Sequence, residues 1–157
     1  MNRLRNIAKE IFFSCLTRKQ IINYVYTKTT GKKMNWKHPV DFNEKINWLK
    51  LHSDTSLWTL CADKYKVRDF IKQKGYGDLL VPLLGKWERA EEIDFAKLPN
   101  GFVLKTNHGS GDVIVVKDKN KINFDNVRKI LNKNLKTPYG KYQGESHYLG
   151  IPPCIIA

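Results

Sequence analysis

A chain of 157 residues is long enough for one domain with a core, and 41% apolar content with 11% aromatics excludes a disordered tail. A formal charge of +13 and a pI near 9.7 favour anionic partners: nucleotide, nucleic acid, acidic polymer or an anionic membrane surface. Three distant cysteines (Cys15, Cys61, Cys154) and four histidines without ligand spacing give no disulfide framework or zinc motif; they fit a reducing compartment, and a cytoplasmic location is expected.

Residues 3–26 predict a helix, because Ile7, Ile11, Cys15, Ile22 and Val25 recur near a period of 3.6 with Arg and Lys between them. Ile11-Phe12-Phe13 is too short an apolar run for a signal segment or a membrane span. A basic amphipathic helix packs on its own domain or lies on an anionic membrane, and the pattern admits both, including peripheral membrane association. Residues 29–39 read as a polar loop with Gly31 as the helix stop. The organisation expected is a basic helical segment over 1–38 and a second domain over 39–157.

Asp41 and Glu44 have capping-box spacing and open a helix through His52. Ser53-Asp54 caps a short helix with Leu57, Trp58 and Leu60, and the tryptophans read as core. Residues 63–74 predict a third helix with Lys64 and Arg68 on one face. Residues 79–84 predict a strand, placed at an edge by Pro82. Residues 87–98, with Glu88, Glu91, Glu92 and Asp94, predict a short helix; its acidic residues suit a helix start better than a metal.

Phe102 to Thr106 and Val113 to Val116 are β-branched or apolar runs separated by Asn107-His108-Gly109-Ser110-Gly111-Asp112. Two glycines allow a tight turn whose N–H groups form an anion-binding nest, and Lys105 stands just before it. A plain β-hairpin with a glycine loop is the other reading of the same pattern. A P-loop fails because the lysine precedes the glycines and a strand follows; a dinucleotide fingerprint fails because Ile114 stands where glycine is required. Residues 125–135 predict a helix with Val127, Ile130, Leu131 and Leu135 inward, residues 137–150 a loop, and 152–157 the start of a strand. That apolar strand has no polar cap or turn after it, so the domain is expected to be truncated at Ala157.

Together the Asp63-Lys64 helix start and the lysine-strand–glycine-loop hairpin resemble the ATP-grasp superfamily, and more closely the TupA-like ATP-grasp family of teichuronopeptide, capsule and exopolysaccharide clusters, whose members often carry the label glycosyltransferase. The resemblance rests on Asp41-Phe42-Asn43-Glu44-Lys45-Ile46-Asn47-Trp48-Leu49-Lys50, Asp63-Lys64-Tyr65-Lys66-Val67-Arg68, Val81-Pro82-Leu83-Leu84-Gly85, Leu98-Pro99-Asn100-Gly101-Phe102-Val103-Leu104-Lys105 and His108-Gly109-Ser110-Gly111, five motifs in order over about residues 35–157. It implies an α+β fold: a helical N-terminal region, then a subdomain with a small, mostly antiparallel sheet and a glycine-rich loop. It further implies ATP as ligand. Lys64 and Lys105 would contact its phosphates, and His108, Gly109, Ser110 and Gly111 would close over them beside Thr106. Ile155-Ile156-Ala157 would lead to the adenine hinge. The reaction implied phosphorylates a carboxylate to an acyl phosphate that an amine attacks, with Mg²⁺ held by residues expected beyond Ala157; no metal ligand is assigned within the chain. Asp112 departs from the small residue usual in relatives.

Two other functions stay in view. A glycosyltransferase acting on a sugar acceptor would call for an Asp-x-Asp metal pair, and none occurs. A basic nucleic-acid module would interleave aromatics with Arg and Lys on an exposed sheet; here the lysine-bearing strands are flanked by aliphatics, so no specific nucleic acid is expected.

Overall fold

The structure is a computed structural model that describes residues 2–157, with side chains described for 7, 8 and 10–157. The chain divides into two compact units, one of residues up to Thr55 with Gly140–Ser146, the other Ser56–Tyr139 with His147–Ala157.

In the first unit, α1 (Asn2–Ser14) and α2 (Arg18–Thr30) replace the single helix expected over 3–26. Local capping overrides the continuous apolar period. Thr17 Oγ1 accepts from Gln20 N at 3.3 Å, and Gln20 Oε1 accepts from Thr17 N at 2.8 Å. This reciprocal cap starts a new helix. Gly31, at φ 73°, ends α2 as the sequence indicates.

Helix α3 (Phe42–His52) opens on the expected box: Glu44 N donates to Asp41 Oδ1 at 2.8 Å. The Glu44 carboxylate also accepts from Val40 N at 2.8 Å and Asn35 N at 2.9 Å, so one side chain ties the incoming loop to the helix start. Ile22, Tyr26 and Met34 form the small core, with Trp36, Trp48 and Leu51 packed against it. Tyr26 Oη donates to Asp41 Oδ2 at 2.9 Å, which satisfies a hydroxyl that α2 carries into that core.

Those bonds give the unit a pH dependence. The hydrogen bonds from Val40 and then Asn35 hold the Glu44 carboxyl below its ordinary value of 4.5, against the opposing effect of burial. A depressed folded-state value contributes stability that is complete above the unfolded value and is lost as pH falls through the folded one. The melting temperature is therefore expected to fall as pH is lowered past the ordinary glutamate range. Glu44→Gln should flatten that acid limb in melts followed by circular dichroism. An acid limb of unchanged slope in the variant would remove Glu44 from the account.

The second unit holds α4 (Ser56–Ala62), α5 (Val67–Gln73), β1 (Lys86–Trp87), β2 (Phe102–Thr106), β3 (Ile114–Val116), α6 (Phe124–Leu135) and β4 (Ile155–Ile156). The four strands run in the order β1-β4-β2-β3, and each neighbouring pair is antiparallel. With the helices this is the mixed α+β architecture expected. Strand β2 pairs with β3 through Phe102 to Leu104 and with β4 through Lys105 and Thr106. Its alternation buries Phe102, Leu104 and Thr106 and leaves Val103 and Lys105 on the other face.

Over the buried face lies one apolar cluster: Ile93, Phe95 and Leu98 from the loop before β2, Leu104, Ile155, and Val127 and Leu131 of α6. Asn123 caps α6, its Oδ1 accepting from Asn126 N at 3.0 Å. Ile130, expected inward, is exposed instead, because Val127 and Leu131 already fill the face of α6 toward the sheet.

Two further expectations change. Residues 79–84 join no ladder: Leu79 and Val81 are exposed, Leu79 N and Leu80 N donate back to Tyr76 O and Gly77 O in a 3₁₀ turn, and at Leu84 the N–H reaches Ala157 O at 2.8 Å. Pro82 lacks the N–H that a ladder would need. Residues 87–98 form no α-helix. Trp87 belongs to β1, and two 3₁₀ turns follow at Ala90–Glu92 and Phe95–Lys97.

Candidate functional site

The residues singled out by sequence meet where β2 ends. The turn that precedes α5 carries Asp63 and Lys64, and the β2–β3 connection carries residues 107–113. What joins them is a buried polar network. Asp63, 2% exposed, accepts through Oδ1 from Tyr65 N at 2.9 Å and Lys66 N at 3.1 Å, which fixes the turn. The same oxygen accepts from Asn107 Nδ2 at 2.9 Å. Asn107 is itself buried; Nδ2 also donates to Pro152 O at 3.0 Å, and Oδ1 accepts from Cys154 N at 2.7 Å. The Asn107 backbone adds its N–H to Cys154 O at 2.9 Å and its carbonyl to Lys64 N at 3.1 Å. Three segments distant in sequence are thus locked together at the mouth of the loop.

Lys64 lies inside this lock. Its Nζ donates to Asn107 O at 3.3 Å and to Gly109 O. Burial pulls the Lys64 ammonium below its ordinary value; the Asp112 charge opposes that, the Lys105 charge adds to it, and Asp63 opposes it. Two lysines therefore repel one another here while a carboxylate offsets them. Lys105, half-buried on β2, has no hydrogen-bond acceptor among the described residues. Arg68 does not join the pair: it lies in α5 and donates to Val81 O at 2.7 Å.

The loop turns back on itself. Gly111 takes φ 82°, a left-handed conformation that suits glycine. Asp112 then returns to the end of β2, where its Oδ2 accepts from Thr106 N at 3.2 Å and from Thr106 Oγ1. A Cβ on Gly109 would stand 2.7 Å from both Asp112 carboxylate oxygens, so only glycine allows this approach. The other oxygen, Asp112 Oδ1, is buried without a partner among the described residues. Thr106 and Gly109 thus enclose an anion, and that anion is the chain's own carboxylate. Ser110 is exposed at the tip.

His108 points elsewhere. It is 4% exposed, and its Nε2 meets Thr137 O at 3.2 Å. Its Nδ1 is buried and without a partner among the described residues. A cavity of about 70 Å³ lies beside Gly109, Ser110 and Asp112. That is room for water; nucleotide-sized ligands need roughly 300 Å³ or more. Among the described residues no group of three or more His, Cys, Asp or Glu is placed to hold a metal ion, and no helix is long and apolar enough to cross a membrane.

Sequence reasoning gave Asp63 and Asn107 no structural role and read Asp112 only as an oddity of the loop. A signal was present for the last: Thr106 and Asp112 flank a two-glycine loop, which lets an acidic side chain fold back to the strand end.

Comparison with protein families finds a match to the TupA-like ATPgrasp model over residues 44–157. No curated protein and no solved structure matches the chain.

Proposed function

The chain belongs to the TupA-like ATP-grasp family, and on that premise we propose that Lys64, Lys105, Thr106 and the loop 108–111 bind the phosphates of ATP. The observation that supports this most is the enclosed anion: the N–H and hydroxyl of Thr106 hold the Asp112 carboxylate, whose charge acts on Lys64, while Lys105, from the neighbouring position on β2, acts on Lys64 with the opposite sign. A phosphate oxygen matches the acceptor chemistry of that carboxylate and relieves the Lys64–Lys105 repulsion. Entry of the nucleotide displaces Asp112 and opens the loop, since the cavity beside the loop is too small for it. Gly111 is the natural hinge, and exposed Ser110 and the freed N–H groups then face the phosphates.

The reaction in this reading is that of an ATP-grasp ligase. A carboxylate oxygen of the acceptor takes the terminal phosphoryl group, ADP leaves, and an amine displaces phosphate from the acyl phosphate. The chain's own contribution is positioning and charge neutralisation, as in other phosphoryl transfers. Mg²⁺ normally accompanies ATP in such chemistry. Among the described residues the carboxylates whose charges act on Lys64 are Asp112 and Asp63, and Asp63 Oδ1 is engaged in three hydrogen bonds, so these residues do not fit a Mg²⁺ site and no step is derived through the ion. At the level of biology the reading places the chain in synthesis of a surface polysaccharide or teichuronopeptide, in line with its family.

A thermal melt with and without Mg-ATP tests the site. Saturation at about a hundredfold over Kd is expected to add roughly 2.7 kcal/mol. Lys105→Ala should weaken binding by about tenfold, the low end for a charge-assisted contact because the side chain is half exposed. An equal ATP shift in parent and variant would show that the nucleotide lies elsewhere.

A further inference from the structure

We propose that α1 and α2 form a docking surface for an anionic lipid bilayer, separate from the nucleotide site and outside the family-matched residues 44–157. An open groove of about 670 Å³ runs along them. Its apolar side is aromatic. Phe12 is 47% exposed and Tyr24 41%, with Trp36 beside them. Phe12 and Tyr24 pack edge-to-face at 5.5 Å, and both pack on buried Phe13, so the surface is preformed and needs no folding on contact. Ile7 and Ile11, one helical turn apart on α1, extend the apolar exposure to 45% and 60%.

The rim is cationic. Lys19, Lys28 and Lys33 line the groove and no acidic residue does. Lys19 Nζ lies 5.1 Å from the centroid of the Trp36 ring, which sets its charge at the lip beside an interfacial aromatic. Residues 1–38 contain nine Lys or Arg and a single acid, Glu10.

Exposed aliphatic and aromatic side chains ringed by lysines are what an interfacial helix presents to headgroups and the outer acyl layer. With 13 residues, α1 is about 20 Å long, too short to span a bilayer, so it lies in the plane. The charge pattern decides among occupants. A second copy related by a two-fold axis would bring the same basic rim against itself. A nucleic acid would use the lysines but leave Ile7 and Ile11 without a partner. An anionic bilayer satisfies both halves of the surface, by electrostatic attraction to the rim and burial of the apolar side chains.

Co-sedimentation of the 157-residue chain with vesicles tests this. Vesicles containing phosphatidylglycerol are expected to take up the protein, and pure phosphatidylcholine vesicles to leave it in solution. Added salt should weaken but not abolish uptake. Ile11→Ser with Phe12→Ser, and separately Lys19→Glu with Lys28→Glu and Lys33→Glu, should each lower the partition coefficient by about tenfold or more, with circular dichroism and melting like the parent. Three results would overturn the proposal: no uptake by anionic vesicles; full uptake of the Ile11/Phe12 variant, which is adsorption of a basic protein only; or a parent dimer that the same variant dissociates, which gives the surface to a second copy. If either variant set melts unlike the parent, the single change Ile11→Ser, at a side chain 60% exposed, or Lys28→Glu carries the same test.

Discussion

Asn107→Leu is expected to lower the unfolding free energy of the second unit by roughly 2–6 kcal/mol, a large fraction of the 5–15 kcal/mol typical of a domain. Leucine keeps the branching and heavy-atom count of asparagine but is bulkier, so overpacking at this buried position adds to the loss of hydrogen bonds. Cys154 N loses its acceptor at 2.7 Å, and Pro152 O loses its donor at 3.0 Å. Cys154 N lies in the buried interior beside Asn107, itself 1% exposed, where water cannot replace the partner, whereas Pro152 is exposed and its carbonyl can turn to water. Asp63 fares better, because its Oδ1 keeps Tyr65 N and Lys66 N. Stranding Cys154 N costs about 1–3 kcal/mol and overpacking about 1–3 kcal/mol, which together set the range. Urea unfolding of parent and variant reads the difference directly, with an unchanged m-value showing that the unfolding unit is the same. A loss below about 1 kcal/mol would mean that the network is slack. Asn107→Asp separates polarity from charge: the shape is kept, a second carboxylate meets Asp63, and the destabilisation should shrink as acid protonates the pair.

That network marks the limit of what local pattern carries. The Asp41–Glu44 cap, the Gly31 stop, the β2–loop–β3 hairpin and α6 all announce themselves within a few residues, through capping spacing, β-branched runs and helical period. The break before α2 was also written locally, in Thr17 and Gln20, but the apolar period of Ile11, Ile22 and Val25 runs through it and hides it. The stretch at 79–84 misleads in the opposite sense: it has the composition of a strand, but its backbone bonds to local turns and to the Arg68 side chain and joins no ladder. Asp63, Asn107 and Cys154 lie 44 and 47 residues apart along their bonds, and nothing in the neighbours of any one of them names the other two. The site shows the same division. Lys64, Lys105 and the glycines are legible because motif spacing carries them; that the loop closes on its own carboxylate is a consequence of tertiary geometry.

Asp112→Asn is expected to tighten nucleotide binding by about ten- to a hundredfold, the opposite sign to Lys105→Ala at the same site. In the free protein the Asp112 carboxylate holds Thr106 N and Thr106 Oγ1, two donors that a phosphate would use, and its charge supports Lys64. In the proposed binding mode a nucleotide breaks those bonds before it forms its own, and a charge-assisted bond of this kind contributes roughly 1.5–3 kcal/mol. Asparagine keeps the shape and a weaker neutral acceptor, so the loop still closes, but the competing charge is gone. One such bond recovered corresponds to the fold-change expected, since about 1.4 kcal/mol is a factor of ten. Gly109→Ala works on the same contact from the other side: its Cβ would stand 2.7 Å from the carboxylate and push Asp112 out. Calorimetric titration of Mg-ATP into the parent and both variants decides the matter. Tighter binding in both makes Asp112 a self-supplied anion that nucleotide displaces. Weaker binding in Asp112→Asn would make the carboxylate part of the nucleotide site itself, and the loop geometry seen here would then be the one that ATP meets.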